Sequence, residues 1–230
     1  MTRAKVNMFR ICQRNETLSG ELISQFRSIT PSTLGHLIDT GFMREDIKPI
    51  RPDTVVIGPA VTVQTFGRDS TVCHKVLDLI KPGDIIVIDR GGEKKYACWG
   101  EMTSLAAQIH GAAGVIVDGP VTDIQTLRKM EIPIFCTGAA AATTQLLGVA
   151  GAINLPITCG GVVVLPGDLI FGDDNGIIVI RAKDAEKYLS MGIKEEEGDG
   201  VFRQKINEGK TSSQIFALDD LIYTDEKKYP

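Results

Sequence analysis

The sequence lacks most of the short motifs that announce a chemistry. It has no CxxC pair, no HExxH, no Gly-x-Ser-x-Gly and no GxGxxG. "RGGEKK" at 90–95 also lacks the strand-to-helix setting of a dinucleotide loop, so a Rossmann reading is rejected. The longest apolar runs are short and interrupted by glycine, which excludes a membrane span. Neither sign of charge dominates: 25 Lys and Arg against 29 Asp and Glu leave −4, no electrostatic reason to expect nucleic acid. The five cysteines (Cys12, Cys73, Cys98, Cys136, Cys159) are scattered and odd in number, in a chain that opens with charged residues and no apolar signal segment. Reduced thiols in a cytoplasm are the expectation, each cysteine serving as a small buried hydrophobe.

What remains is an ordinary globular composition, 43% hydrophobic and 23% charged over 230 residues, enough to bury an ample core. No linker-like stretch divides the chain, so one domain over 1–230 is expected, with its core at about 30–210.

Residues 17–43 read as helical, broken at Pro31 and near Gly35. "TVVIGPAVTVQTF" after the turn "RPD" alternates as a half-buried strand. Val72, Cys73, Val76, Leu77 and Ile80 share a helical face over 69–80, stopped by Pro82-Gly83. The strand "DIIVID" (84–89) leads through a Gly-rich loop to a helix over 101–110, with Met102, Leu105, Ala106 and Ile109 on one side. A strand at 114–118, a Gly-Pro turn, a helix from 124 to 130 and the strand "IPIFCTG" follow. This is an α/β pattern with a parallel component, in which ligands gather at the carboxyl ends of the strands. Beyond Asn154 the pattern turns β-rich, "DDNG" marking a hairpin. "KPGDIIVID" and "LPGDLIFGD" look like two equivalent corners, and the last forty residues read as charged helix ending in a frayed tail.

Two places at the strand ends carry chemistry. In "VDGPVTDI" (117–124), Thr122 or Asp123 fits an N-cap, and "TDIQ" fits a capping box from Thr122 to Gln125. The competing reading is a single carboxylate, Asp123, holding a hard cation with water in the other positions. In "ACWGEM" (97–102), Gly100 permits a tight turn, and the amides of Glu101, Met102 and Thr103 are the open donors of a helix N-terminus, a natural carboxylate site. Among the histidines, His36 is the one to watch as an acid or base, while His74 and His110 carry no motif. The "EEE" run at 195–197 reads as a solvated helix face, one of whose members could reach a neighbouring subunit's ion.

In order, "GPAVTV", "KPGDIIVID", "ACWGEMTSLAAQIHGAAGVIVDGPVTD" and "LPGDLIFGDDNGIIVI" resemble the RraA-like family, which includes regulators of ribonuclease E activity and 4-hydroxy-4-methyl-2-oxoglutarate aldolases. The resemblance implies an α/β/β sandwich like the phosphohistidine swivelling domain, assembled as a homotrimer or homohexamer with sites between subunits. It implies substrate binding at Gly100, Glu101, Met102, Thr103 and Thr122, with Asp123 and Glu101 as catalytic candidates and Asp123 as ligand to Mg²⁺ or Mn²⁺. The implied reaction is cleavage or decarboxylation of a small 2-oxo acid through a metal-stabilised enolate. The other implied activity is non-catalytic binding of a protein partner, of the ribonuclease regulator type. Two positions depart from the aldolase pattern: Thr122 stands where an arginine is expected, and Thr126 where an acidic residue is usual. Arg90, Lys94 and Lys95, on the loop before Gly100, are the alternative sources of the missing cation.

Overall fold

The computed structural model describes residues 8–14, 18–218 and 221–222. Strand β1 (Phe9–Ile11) precedes two short helices, α1 (Gly20–Gln25) and α2 (Pro31–Gly35), and the two-residue strand β2 (Lys48–Pro49). The long strand β3 (Val56–Gln64) leads through α3 (Thr71–Lys75) to β4 (Ile85–Asp89), and through α4 (Glu101–Ile109) to β5 (Gly114–Val121). From there α5 (Ile124–Leu127) leads to β6 (Ile134–Ala139). Strand β7 (Gly151–Ile153) and two hairpins follow, β8 (Ile157–Cys159) with β9 (Val162–Val164) and β10 (Leu169–Asp173) with β11 (Gly176–Ile180). Helices α6 (Ala185–Asn207) and α7 (Ser212–Phe216) complete the described chain.

Strands β3, β4, β5 and β6 lie parallel and adjacent, as strand–helix–strand connections require. They form the middle of a nine-stranded mixed sheet ordered β1-β7-β3-β4-β5-β6-β2, with β10 and β11 joined to it through the first half of β3. Each central strand is a continuous apolar run because both of its faces are covered. In β4, Ile86 and Ile88 face a core shared with Val72, Cys73 and Val76 and with Ala107 of α4. Ile85 and Val87 face the opposite core, closed by Ile157 and Cys159 of β8 and Val164 of β9. Helices, main sheet and small sheet thus stack in an α/β/β order. A third cluster joins α1, α2 and α6 to the β10–β11 hairpin, where Phe26 meets Phe171 edge-on at 5.6 Å.

The two "PGD" corners are locally equivalent. In each, the Asp carboxylate accepts the amide three residues back, Lys81 to Asp84 at 2.7 Å and Leu165 to Asp168 at 2.8 Å. The preceding glycines adopt left-handed φ of 92° and 87°. The strands they launch flank β3, β4 parallel to it and β10 antiparallel. "DDNG" closes the β10–β11 hairpin, with Asp173 opposite Gly176.

Several boundaries differ from expectation. Pro31 starts a helix instead of breaking one, because Thr30 caps it and proline's missing N–H is harmless in the first turn. Beyond Gly35 the helix is over, and Phe42 bridges to Ile178. Strand β3 is almost wholly buried, since it is paired on both edges and covered on both faces. The 69–80 helix shortens to α3 and a 3₁₀ turn at Val76–Asp78. "Gly-Pro" at 119–120 lies inside β5, at a register shift between Val117 and Pro120. There β4 has ended at Asp89, opposite Asp118, so no ladder partner is deprived of proline's missing donor. Cys12 is exposed while the other four cysteines are buried. Residues 219–220 and 223–230, most of the expected frayed tail, lie outside the described residues. Among the described residues, no helix is long and apolar enough to cross a membrane.

Candidate functional site

The end of β5 and the start of α4 meet. Thr122 N donates to Trp99 O at 2.9 Å, which sets the turn after β5 against the turn before α4. That second turn is held from beneath: the Trp99 indole donates to Ser104 Oγ at 2.8 Å, and Ser104 Oγ donates to Gly100 O at 2.8 Å. Thr103 Oγ1 accepts from Gly100 N and donates to Gly100 O, both at 3.0 Å. Gly100 is required by close approach: a Cβ there would stand 2.5 Å from the Thr122 methyl and 2.6 Å from Asp123 Oδ2.

Asp123 is the distinctive residue. It adopts left-handed φ 55° and ψ 33°, a conformation that disfavours most side chains but that Asp tolerates. It occupies the N-cap position of α5 but makes no side-chain cap bond there, so neither the Asp cap nor the Thr122–Gln125 capping box forms. The helix is also shorter than expected, ending at Leu127. The carboxylate reaches across to α4 instead, where Oδ2 accepts the amide of Glu101 at 3.0 Å. That amide belongs to a first turn that no helix carbonyl can reach, and the helix dipole favours negative charge there. Oδ1 of Asp123 has no hydrogen-bond partner among the described residues.

These residues surround one cavity of about 180 Å³. Gly100, Glu101, Met102, Thr103, Thr122 and Asp123 all line it, so the expected set converges. Ser70, His74, Thr143 and Thr144 also line it. The sequence motifs did not single these out, because they arrive from α3 and from the segment after β6 through tertiary pairing. Ser70 N donates to Gln145 O, and Thr144 N donates to Ala97 O, both at 3.0 Å. His36 is exposed beside α2 and takes no part; His74 is the histidine at the cavity.

Among the described residues no lysine or arginine lines the cavity, so Arg90, Lys94 and Lys95 on the loop before Gly100 do not reach it within one chain. Arg90 is fully buried and spends Nη2 on Gly67 O and Tyr96 O, while its Nε and Nη1 have no partner among the described residues. Lys94 lines a different cavity, and Lys95 sits 5.1 Å from the Tyr96 ring centroid. Glu196, from the acidic run on α6, accepts the Thr33 hydroxyl of its own chain.

The site's residues suit a hard cation in part. Two acidic residues, Glu101 and Asp123, line a cavity that no lysine or arginine of the described residues enters, and Asp123 Oδ1 is open among them. Among the described residues no cluster of three or more His, Cys, Asp or Glu forms a ligand set, so water would complete any coordination shell.

Residues 33–179 match the RraA-like family description, Aldolase/RraA. A Halalkalibacterium halodurans protein named "Putative 4-hydroxy-4-methyl-2-oxoglutarate aldolase" is 36% identical over 204 residues, covering 88% of this chain and 96% of its own. The Streptomyces coelicolor structure of RraAS2, described as an unusual member of the RNase ES inhibitor RraA protein family, superposes with a TM-score of 0.74 at 27% identity, covering 81% of this chain and 98% of that one. The RNA-processing inhibitor RraA from Thermus thermophilis superposes with a TM-score of 0.60 at 26% identity, covering 65% and 91%. The family match spans more than half of the chain, and the fold and motif order agree with it: this protein belongs to the RraA-like family.

Proposed function

We propose that this chain is a divalent-metal-dependent lyase that cleaves, or decarboxylates, a small 2-oxo acid. The observation that carries the reading is Asp123: a left-handed backbone turns its carboxylate away from its own helix and onto the open first turn of α4, at the rim of a small cavity. A residue that only capped α5 would have no need of that conformation.

Asp123, with Glu101 beside it, would hold Mg²⁺ or Mn²⁺. The chemistry such an ion supplies is Lewis-acid stabilisation of enolate charge. The chain's own residues bind and orient. The first-turn amides of α4 offer donors to a substrate carboxylate, with the helix dipole favouring its charge. Trp99, Thr103 and Ser104 fix those donors by holding Gly100, so little reorganisation is needed when substrate arrives. Thr122 gives a neutral hydroxyl where an arginine would give a charged fork. The halodurans protein's name supports the aldolase form of this reading.

The second reading, a non-catalytic protein-binding regulator, is favoured by Thr122 at the arginine position and by the likeness to RraA structures. A panel of 2-oxo acids with Mg²⁺ or Mn²⁺, before and after EDTA, separates the two. Metal-dependent turnover that EDTA abolishes is expected, together with Mn²⁺ binding by the wild type and little by Asp123→Ala. Equal Mn²⁺ binding by both proteins removes Asp123 from the site. Failure of every 2-oxo acid, with metal present, replaces the lyase by the binding protein.

A further inference from the structure

The other face of the sheet holds a larger cavity, about 520 Å³, also at the carboxyl ends of the parallel strands. Its volume lies in the range of small-ligand sites. Asp89 at the end of β4 and Asp118 on β5 are register partners there, and Arg44, Lys94, Thr137 and Thr158 complete the polar wall. Both carboxylates belong to the β8–β9 side, since Asp89 alternates with Ile88 and Asp118 with Val117 of the helix-side core. Burial first, then Asp118 and Asp89, push up the thiol of Cys159 on β8, which places that thiol in the field of both.

The two carboxylates differ in their partners. Asp118 is neutralised: Arg44 Nη2 donates to Oδ1 at 2.6 Å, and Gly160 N donates to Oδ2 at 2.8 Å. Asp89 is not. Its oxygens accept only neutral donors, Gly91 N at 2.7 Å and Gln64 Nε2 at 2.9 Å, and no cation pairs with it among the described residues. Yet Asp89 is only 7% exposed. Arg90 next in the chain offers no remedy, because its guanidinium enters the opposite side and serves Gly67 O and Tyr96 O. A buried aspartate without a paired cation is rare, since the charge loses most of its hydration and gains no opposite charge in return. Each Asp89 oxygen keeps a further acceptor site, and the two neutral donors already fix the carboxylate. At the rim, Lys94 is exposed.

We propose that this cavity binds a small zwitterion, with its ammonium group on Asp89 and its carboxylate toward Lys94. The cavity would then act as a binding site independent of Asp123, across the sheet from it. Two charges of opposite sign at separate points select against plain amines and plain acids, each of which leaves one protein charge unanswered.

Calorimetric titration of the full chain with glycine, 4-aminobutyrate and 6-aminohexanoate, beside butylamine and butyrate, tests this. At least one amino acid should bind at least about tenfold more tightly than butylamine, with butyrate weakest, because each charge-assisted contact is worth about one decade or more. Asp89→Asn should lower that affinity about tenfold or more while leaving Mn²⁺ binding at Asp123 intact; Lys94→Ala should erase the advantage of the amino acid over butylamine. Lys94 is exposed, so its variant carries the test if Asp89→Asn fails to fold. The proposal is overturned if no amino acid binds wild type, if butyrate binds as tightly as the amino acids, or if a folded Asp89→Asn binds like wild type. It is also overturned if Asp89→Asn abolishes a Mn²⁺ site, which makes the occupant a metal. A lower assembled mass for Asp89→Asn without amino-acid binding to wild type overturns it too, the cation then coming from a second copy of the chain.

Discussion

At the scale of single residues, Thr122 and Asp123 stand where the resemblance to the aldolases places an Arg-Asp pair. Asp123 keeps its place at the α4 first turn, and Thr122 lies half-buried on the same cavity wall with its methyl against Gly100. Under the lyase reading, Thr122→Arg should raise pyruvate-yielding cleavage of 4-hydroxy-4-methyl-2-oxoglutarate by roughly ten- to a hundredfold, because a hydrogen bond to a charged group is worth about 1.5–3 kcal/mol. Steady-state kcat/KM of the two proteins checks it. An unchanged or lower value would show that the threonine is not a drifted substrate contact. The motif could be read off the chain because its residues are adjacent; the direction of the Asp123 side chain could not. "TDIQ" satisfies the capping rules locally, and only the neighbouring α4 supplies the donor the carboxylate takes, the Glu101 amide.

At the scale of elements, the wall of the cavity opposite Asp123 depends on a tie that no local pattern announces. Asp69, only 3% exposed, joins α3 to the 145–149 segment. Burial disfavours its charge, but the Thr71 hydroxyl and the amides of Val149, Thr71 and Leu147 outweigh that and hold its pKa at about 2. The folded value lies below the unfolded one, so this stabilisation is full above about pH 4 and fades as pH falls toward 2. Asp69→Asn should therefore cost about 2 kcal/mol at pH 7. Denaturant unfolding at pH 7 and near pH 2 should show the difference between the proteins shrinking in acid; a constant difference would mean that the tie does not depend on the charge. Strand β4, helix α4 and the first halves of β5 and β6 were legible because their apolar periods are strong, while β5 runs on through Gly119-Pro120, which reads locally as a turn. The 69–80 helix was overextended because Leu77 and Ile80 continue its apolar face while the backbone tightens to 3₁₀.

At the scale of the whole molecule, apolar surface remains uncovered beside the candidate site. Met102, Leu105 and Ile109 line the outer side of α4 with exposures of 65, 42 and 74%, and Leu146, Leu147 and Val149 are exposed on the 145–149 segment. Exposed apolar side chains gathered in this way fit an interface. Light scattering at micromolar concentration should give about three or six times the chain mass, the ring being the closed outcome of a head-to-tail contact. Ile109→Lys should lower that mass, and a monomeric wild type would set aside a site shared between subunits.

By itself the sequence determined that 84–89 and 114–118 are apolar strands, where the glycine corners fall, and that Gly100, Glu101 and Asp123 stand at element ends. These follow from periods of 2 and 3.6 residues and from backbone preferences within a few positions. That β3 is buried on both faces came from the sheets packed around it. Tertiary structure alone decided that Asp123 leaves its own helix for another, that Ser70, His74, Thr143 and Thr144 close the cavity, and that Asp89 faces a second cavity without a paired cation among the described residues. Each of those outcomes is a competition between a local partner and one tens of residues away. Only the assembled sheet, by fixing which strand ends lie side by side, determines which partner is within reach.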